Sequence, residues 1–306
     1  MANPFFSVIT VTYNSSHFVR DAIESVLAST FTDFELIIGD DCSTDNTWDI
    51  IIEYNDPRIV KYRNELNIKE YPNRNKALKM ARGEWVIFID GDDVIYSHGL
   101  AVFAAFILKH DNVSMIIQKN YHNSIIWPIK LEPKQFLVNE LFGSQRLSCS
   151  SFASNVFRRN ALLEIGNLDT NYLTGDEDVR LRLGTKFNTL FVAGWLTWPR
   201  ETPGQAASRI TASTAFIERA LQLNKLIKSL RNEETLYEIA FNGDLNHKSA
   251  LKKTILYLLK NLQFFEVVYL IKFFGLVKIF SFEKPNTNYL DEITKQSPSN
   301  PYNYKN

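Results

Sequence analysis

The chain has 306 residues, 45% of them hydrophobic and 22% charged, a profile that excludes disorder along its whole length and allows one large domain with an appendage. Lys plus Arg and Asp plus Glu each number 34, so no basic excess points to a nucleic-acid partner. The only cysteines are Cys42 and Cys149, too few for a disulfide framework or a zinc cluster, and they fit a reducing compartment. The first residues carry no basic segment, so a cleaved signal peptide is not expected, and no run of about 18 apolar residues predicts a membrane-spanning helix.

Phe6 to Val11 is a β-branched apolar run of strand length. Ser15 or Ser16 can cap the helix that follows, in which Phe18, Val19, Ala22, Ile23, Val26 and Leu27 recur at helical spacing. Phe34 to Ile38 reads as a second strand and runs into Gly39-Asp40-Asp41. Asp45 and Asn46 can open a helix with Trp48, Ile51 and Ile52 on its inner face. Arg58 to Tyr62 is a third strand, Asn73 to Ala81 a helix with Gly83 at its C-terminal stop, and Glu84 to Ile89 a fourth strand. Strands alternating with helices imply a mostly parallel sheet, with ligands beyond the carboxyl ends of its strands. Both Asp40-Asp41 and Asp90-Gly91-Asp92-Asp93 fall at that edge.

Further on, the spacing predicts a helix over 100–108, a strand over 113–118, a strand and helix start over 155–165, a charged helix over 176–184, a strand over 190–198 and a helix over 213–231. Leu251 to Phe282 is rich in Leu, Ile, Val and Phe, dotted with Lys252, Lys253, Lys260, Lys272 and Lys278. Two readings stand for it: helices packed on protein, including a second subunit in a homodimer, or a monotopic helix at an anionic membrane surface. The organisation expected is a domain over 1–210, halved near residue 100, a helical region over 211–283 and a loose tail over 284–306.

The chemistry centres on the acids. An enzyme that expels a diphosphate must neutralise charge on the leaving group, which a divalent cation does as a Lewis acid. Magnesium and manganese take hard oxygen ligands, commonly one or two carboxylates plus phosphate oxygens. Asp-Gly-Asp-Asp alone is equally well an acidic turn, and its context decides. Ser7-Val8-Ile9-Thr10-Val11-Thr12-Tyr13-Asn14, Phe34 to Asp45, Asn73-Arg74-Asn75-Lys76-Ala77 and Ala81 to Asp93 follow one another in order. Together they resemble the successive signatures of family-2-type glycosyltransferases, over roughly residues 5 to 200.

The resemblance implies a GT-A fold of the α/β class, a mixed, mostly parallel sheet flanked by helices. It also implies an inverting transferase that moves a sugar from a nucleotide-diphospho-sugar, UDP-sugars favoured, to a hydroxyl of a glycan or lipid-linked acceptor in bacterial surface polysaccharide synthesis. Such an enzyme would work in the cytoplasm, peripheral on the inner face of the membrane where the lipid-linked reading holds. By position, Val11, Thr12 and Tyr13 would border the base, and Asp40 and Asp41 would contact it, Asp41 being the better candidate. Arg74 would lie near the diphosphate, Asp90 and Asp92 would bind ribose and metal, and Asp92 with Asp93 would hold Mn2+ or Mg2+. The chain has Cys42 where the family favours a small residue. Glu177-Asp178 resembles the acceptor-side Glu-Asp motif, with Asp178 as general base and Asp176 its alternative. Arg200 to Gln205 resembles a loop that can approach the diphosphate. Two other readings remain open from the residues: a sugar nucleotidyltransferase, although no glycine-rich loop follows the first strand, and a non-catalytic binding protein on a decayed transferase fold.

Overall fold

The structure, a computed structural model, describes residues 3–119, 127–142, 147–148, 150–202 and 210–238. The described chain falls into two compact units, one drawn from residues up to 119, 127–136 and 147–202, the other from 137–142 and 210–238.

The first unit is organised by an eight-stranded sheet. Its first half alternates strands and helices: β1 (Phe6–Thr12), α1 (Val19–Leu27), β2 (Phe34–Asp40), α2 (Thr47–Ile52), β3 (Ile59–Arg63), α3 (Glu70–Met80) and β4 (Trp85–Phe88). Its second half contains β5 (Val94–Ile95), α4 (Gly99–Lys109), β6 (Val113–Lys119), β7 (Ile129–Leu131), α5 (Pro133–Phe142, which continues into the second unit), β8 (Asn155–Arg158), α6 (Arg159–Glu164), α7 (Gly175–Gly184), β9 (Asn188–Ala193) and β10 (Thr197–Trp198). The order across the sheet is β3-β2-β1-β4-β8-β6-β9-β7. Strands β3, β2, β1 and β4 run parallel, β8 is antiparallel to both β4 and β6, β6 and β9 are parallel, and β7 closes the edge antiparallel to β9. A separate two-stranded ribbon pairs β5 with β10.

Every residue of β1 and β2 is buried, as continuous apolar strands covered on both faces must be. Val19, Ala22, Ile23 and Val26 seat α1 on the sheet, as their spacing predicts. Four expectations shift. Helix α1 begins at Val19 rather than at Ser15 or Ser16, whose backbone N–H groups are taken by Thr47 Oγ1 (2.8 Å) and Asp45 Oδ2 (3.1 Å) in the neighbouring loop. Ile52 is 48% exposed, so α2 packs through Ile51 instead. Gly83 does not cap α3, which ends three residues earlier. A Cβ there would lie 2.4 Å from Ser7 N, so the glycine permits close approach to β1. The strand expected over 190–198 is two strands, β9 in the main sheet and β10 in the ribbon.

That close approach completes a buried polar junction. Ser7 Oγ donates to Glu35 Oε1 (2.7 Å) and accepts from Gly83 N–H (2.8 Å), and Glu35 also accepts from Arg82 N–H (2.7 Å) and Arg82 Nε (2.9 Å). Burial pushes the Glu35 carboxyl up, but these donors outweigh it and its pKa lies below the ordinary 4.5. The ionised form therefore adds stability above the unfolded-state value, and that contribution is lost as pH falls through the folded one. Glu35→Gln should cost about 2 kcal/mol at pH 7. Urea unfolding should also show the variant losing less stability than the natural protein between pH 7 and pH 4.

In the second unit, α8 (Ala212–Ser229) starts at Thr211, whose Oγ1 accepts from Thr214 N–H at 3.2 Å. The buried Arg219 and Glu140 form an ion pair of 2.9 Å. The segment 251–283 and Cys149 lie outside the described residues.

Candidate active site

Strand β1 delivers Val11 and Thr12 to the carboxyl edge of the sheet, and β2 delivers Asp40 and Asp41 beside them, with Asp41 N–H donating to Thr12 O at 2.8 Å. The loops beyond these two strands are stapled together. Asn14 N–H donates to Ser43 Oγ (2.9 Å), and Asn14 Oδ1 accepts from Thr44 N–H (2.8 Å). Tyr13 stands out of this rim, 48% exposed, where a flat aromatic face is available to a planar ligand.

Asp40 and Asp41 face inward. Asp40 is fully buried, held by Ser43 N–H and Oγ and by Arg63 Nε (3.1 Å). Burial raises its pKa, with Ser43 and Arg63 pulling against that rise. Asp41 is 3% exposed and accepts from Asn64 Nδ2 (2.8 Å), Ile68 N–H (2.9 Å) and Lys69 N–H (2.8 Å), so it shapes the loop between β3 and α3. Cys42 adopts a φ of 63°, the left-handed region that glycine occupies most cheaply, which accounts for the small residue favoured at this position.

Helix α3 spends the side chains of its Asn-Arg-Asn-Lys run on four different anchors. Asn73 Nδ2 donates to Gly39 O (2.9 Å), and Asn75 exchanges hydrogen bonds with the backbone of Leu168 (2.8 and 3.1 Å). Lys76 Nζ donates to Asn64 Oδ1 at 2.7 Å. Arg74, only 7% exposed, forms an ion pair with Asp90 and stacks over the rings of Tyr71 and Phe152, 5.1 Å from each centroid. Asp90 raises the Arg74 pKa against the opposing effect of burial.

The Asp90–Asp93 turn lies against the end of β1. Gly91 N–H donates to Val11 O (3.0 Å), and a Cβ on Gly91 would sit 2.5 Å from Thr12 Oγ1, so no side chain fits there. Thr12 Oγ1 is buried without a hydrogen-bond partner, a polar atom with capacity left for a ligand. From the other side, the ribbon brings the chain after β10 onto the same turn. Arg200 N–H donates to Asp93 Oδ1 (3.1 Å) and Thr202 Oγ1 to Asp92 Oδ2 (2.7 Å). The Arg200 guanidinium is turned toward Asp21 (2.9 Å) and the rings of Phe18 and Trp198. This loop therefore meets the acids through the Arg200 backbone N–H and the Thr202 hydroxyl.

Burial, with Asp90 and Asp92 beside it, pushes the Asp93 carboxyl up to about 8. Crowded carboxylates of this kind favour a cation. Among the described residues no three His, Cys, Asp or Glu side chains converge as a metal cage. The donor set still fits a hard divalent ion of the Mg2+ or Mn2+ kind, which needs only one or two carboxylates when phosphate oxygens complete the shell. Asp90 is committed to Arg74, leaving Asp92 and Asp93 as the candidate ligands.

On the acceptor side the first turn of α7 carries Asp176, Glu177 and Asp178. Asp178 is 2% exposed and gripped by Arg182 through Nη2 (2.6 Å) and Nε (2.7 Å), while Arg182 also donates to Ile165 O and Asn167 O. Asp176 pairs with Arg180 (2.8 Å), its side chain 28% exposed, and its N–H donates to Tyr71 Oη (3.1 Å). Sequence reasoning missed Tyr71 and Asn64, and reached Thr202 only as part of the loop over 200–205. Only Tyr71 carried a signal, lying three residues before Arg74 and so on the same face of a helix.

A family model for glycosyl transferase family 2 matches residues 7–166, more than half of the chain. The chain belongs to this family. The poly(ribitol-phosphate) beta-N-acetylglucosaminyltransferase TarS of Staphylococcus aureus is 39% identical over 125 residues, which are 37% of this chain and 20% of TarS. The Escherichia coli UDP-Glc:alpha-D-GlcNAc-diphosphoundecaprenol beta-1,3-glucosyltransferase WfgD is 33% identical over 147 residues, 47% of this chain and 57% of WfgD. The chain thus matches between a fifth and three fifths of the length of these relatives. Among solved structures, TarS residues 1–349 with UDP-GlcNAc superimposes with a TM-score of 0.60 at 19% identity, covering 86% of this chain and 89% of that one. The mannosyltransferase PcManGT of Pyrobaculum calidifontis, with GDP-Man and Mn2+, gives 0.56 at 16% identity, covering 92% and 89%. The mixed sheet is that of these GT-A neighbours, as the motifs imply.

Proposed function

We propose that this family-2 chain is an inverting, divalent-metal-dependent glycosyltransferase that moves a sugar from a nucleotide-diphospho-sugar, a UDP-sugar first among them, to a hydroxyl of a glycan or lipid-linked acceptor. The observation that carries this reading is the Asp90–Asp93 turn at the end of β4, seated on Thr12, paired to Arg74 and met by Thr202. Supporting it, TarS and WfgD are named as sugar transferases, one of them solved with UDP-GlcNAc.

In this reading Tyr13 stacks on the base above the rim that Asp41 shapes, and Thr12 Oγ1 supplies a hydrogen bond at the nucleotide. Asp92 and Asp93 would hold Mn2+ or Mg2+, which, when bound, offsets the charge growing on the leaving diphosphate. Arg74, already desolvated, adds a fixed positive charge beside Asp90. The acceptor oxygen attacks C1 of the sugar, the bond from C1 to the diphosphate oxygen breaks with its electron pair leaving on the nucleotide, and the acceptor proton passes to a carboxylate of α7. Asp178 is assigned as that base. Its Arg182 pairing fixes the carboxylate in one orientation, and hydrogen bonds of a base commonly realign only when substrate is bound.

With a lipid-linked acceptor the reaction would run at the cytoplasmic face of a membrane, in surface polysaccharide synthesis. Among the described residues no helix is long and apolar enough to cross a membrane, and 251–283 would supply peripheral attachment or a homodimer contact. Residues 1–210 would form the transferase domain, 211–283 the helical region. A panel of UDP-, GDP- and dTDP-sugars incubated with the protein and Mn2+ or Mg2+ tests the reading. Hydrolysis of one donor, abolished by chelator, is expected; no turnover of any donor would overturn it.

A further inference from the structure

Tyr71 sits where the two halves of the proposed site meet. It is the second residue of α3, 7% exposed, and its ring lies under the Arg74 guanidinium at 5.1 Å. Its hydroxyl accepts from Asp176 N–H (3.1 Å) and donates to Leu173 O (3.4 Å). A Cβ on Gly175, the first residue of α7, would come within 2.8 Å of the same ring, so ring and helix start are in direct contact. The run of contacts is continuous: Asp90 pairs with Arg74, Arg74 stacks on Tyr71, and Tyr71 holds the turn that carries the candidate base.

We propose that Tyr71 is a positioning residue that couples occupancy of the donor-diphosphate side, through Arg74 and Asp90, to the placement of the first turn of α7. A nucleoside diphosphate that draws on Arg74 loads the ring, and the ring's hydroxyl transmits the load to the Asp176 amide. This rests on the proposed reading that Arg74 and Asp90 face the donor diphosphate.

Amide hydrogen exchange of residues 173–180, measured with and without UDP and Mn2+, tests the coupling. In the natural protein the nucleotide should slow exchange of this turn by about fivefold. Tyr71→Phe keeps the ring under Arg74 and removes only the hydroxyl. It should bind UDP within about twofold of the natural protein, lose the protection of α7, and lower kcat for transfer with donor KM unchanged. Protection retained in Tyr71→Phe would overturn the coupling and leave the donor reading intact. Unchanged exchange in the UDP-bound natural protein would overturn it as well, without reliance on a variant. Failure of the natural protein to bind UDP, GDP or dTDP would remove the donor reading and the coupling with it.

Discussion

Asp178→Asn should slow sugar transfer by about 100- to 10,000-fold while leaving nucleotide affinity within about twofold, the range over which a positioned proton acceptor contributes. The substitution removes charge and basicity but keeps shape, and the amide oxygen can still accept from Arg182, which holds the native carboxylate at 2.6 and 2.7 Å. The melting temperature should be followed in parallel, because Asp178 is buried and its removal leaves Arg182 short of a counter-charge. A rate loss in a folded, nucleotide-binding variant identifies the base. Full transfer by Asp178→Asn, with the loss appearing in Asp176→Asn instead, would move the role to the acid that pairs with Arg180.

Asp92→Asn should abolish the metal response, lowering donor turnover by about 100- to 1,000-fold. Of the three acids in the turn, Asp90 is neutralised by Arg74, and the Asp93 carboxyl is driven up to about 8 by burial and by its two acidic neighbours. Asp92 accepts from Thr202 Oγ1, a neutral hydroxyl that a cation can replace at modest cost. Turnover measured against Mn2+ concentration should rise and saturate for the natural protein and stay flat for the variant. A natural-like Mn2+ curve in Asp92→Asn would assign the ligand role to Asp93.

Much of the donor half was legible because it is local. Largely apolar runs such as Phe6 to Val11 and Phe34 to Ile38 have one comfortable state, a strand buried on both faces, and the acids that follow are carried to the sheet edge by topology alone. What could not be read depends on contacts distant in sequence. Ser15 and Ser16 look free to cap a helix, yet their N–H groups are claimed by Thr47 and Asp45. Gly83 looks like a helix stop, yet it answers to β1 some 76 residues away. The helix expected from Asn73 begins at Glu70 and so takes in Tyr71, because Pro72 in the first turn of a helix forfeits no intrahelical bond. The ribbon of β5 and β10 joins two-residue strands about a hundred positions apart, too short to leave a periodic signal, and it is this ribbon that sets Thr202 on Asp92. Helix α5 and strand β7 went unseen for a similar reason: Ile129–Leu131 is three residues long, and the first turn of α5 follows directly on it.

Calorimetric titration of UDP, GDP and dTDP, each with Mn2+ and again with excess chelator, tests most directly whether the turn after β4 holds a metal and a diphosphate together. One nucleotide should bind with Mn2+ and at least about tenfold more weakly without it, a difference of about 1.4 kcal/mol. Equal affinity in the two conditions, or no binding of any of the three, would contradict the account.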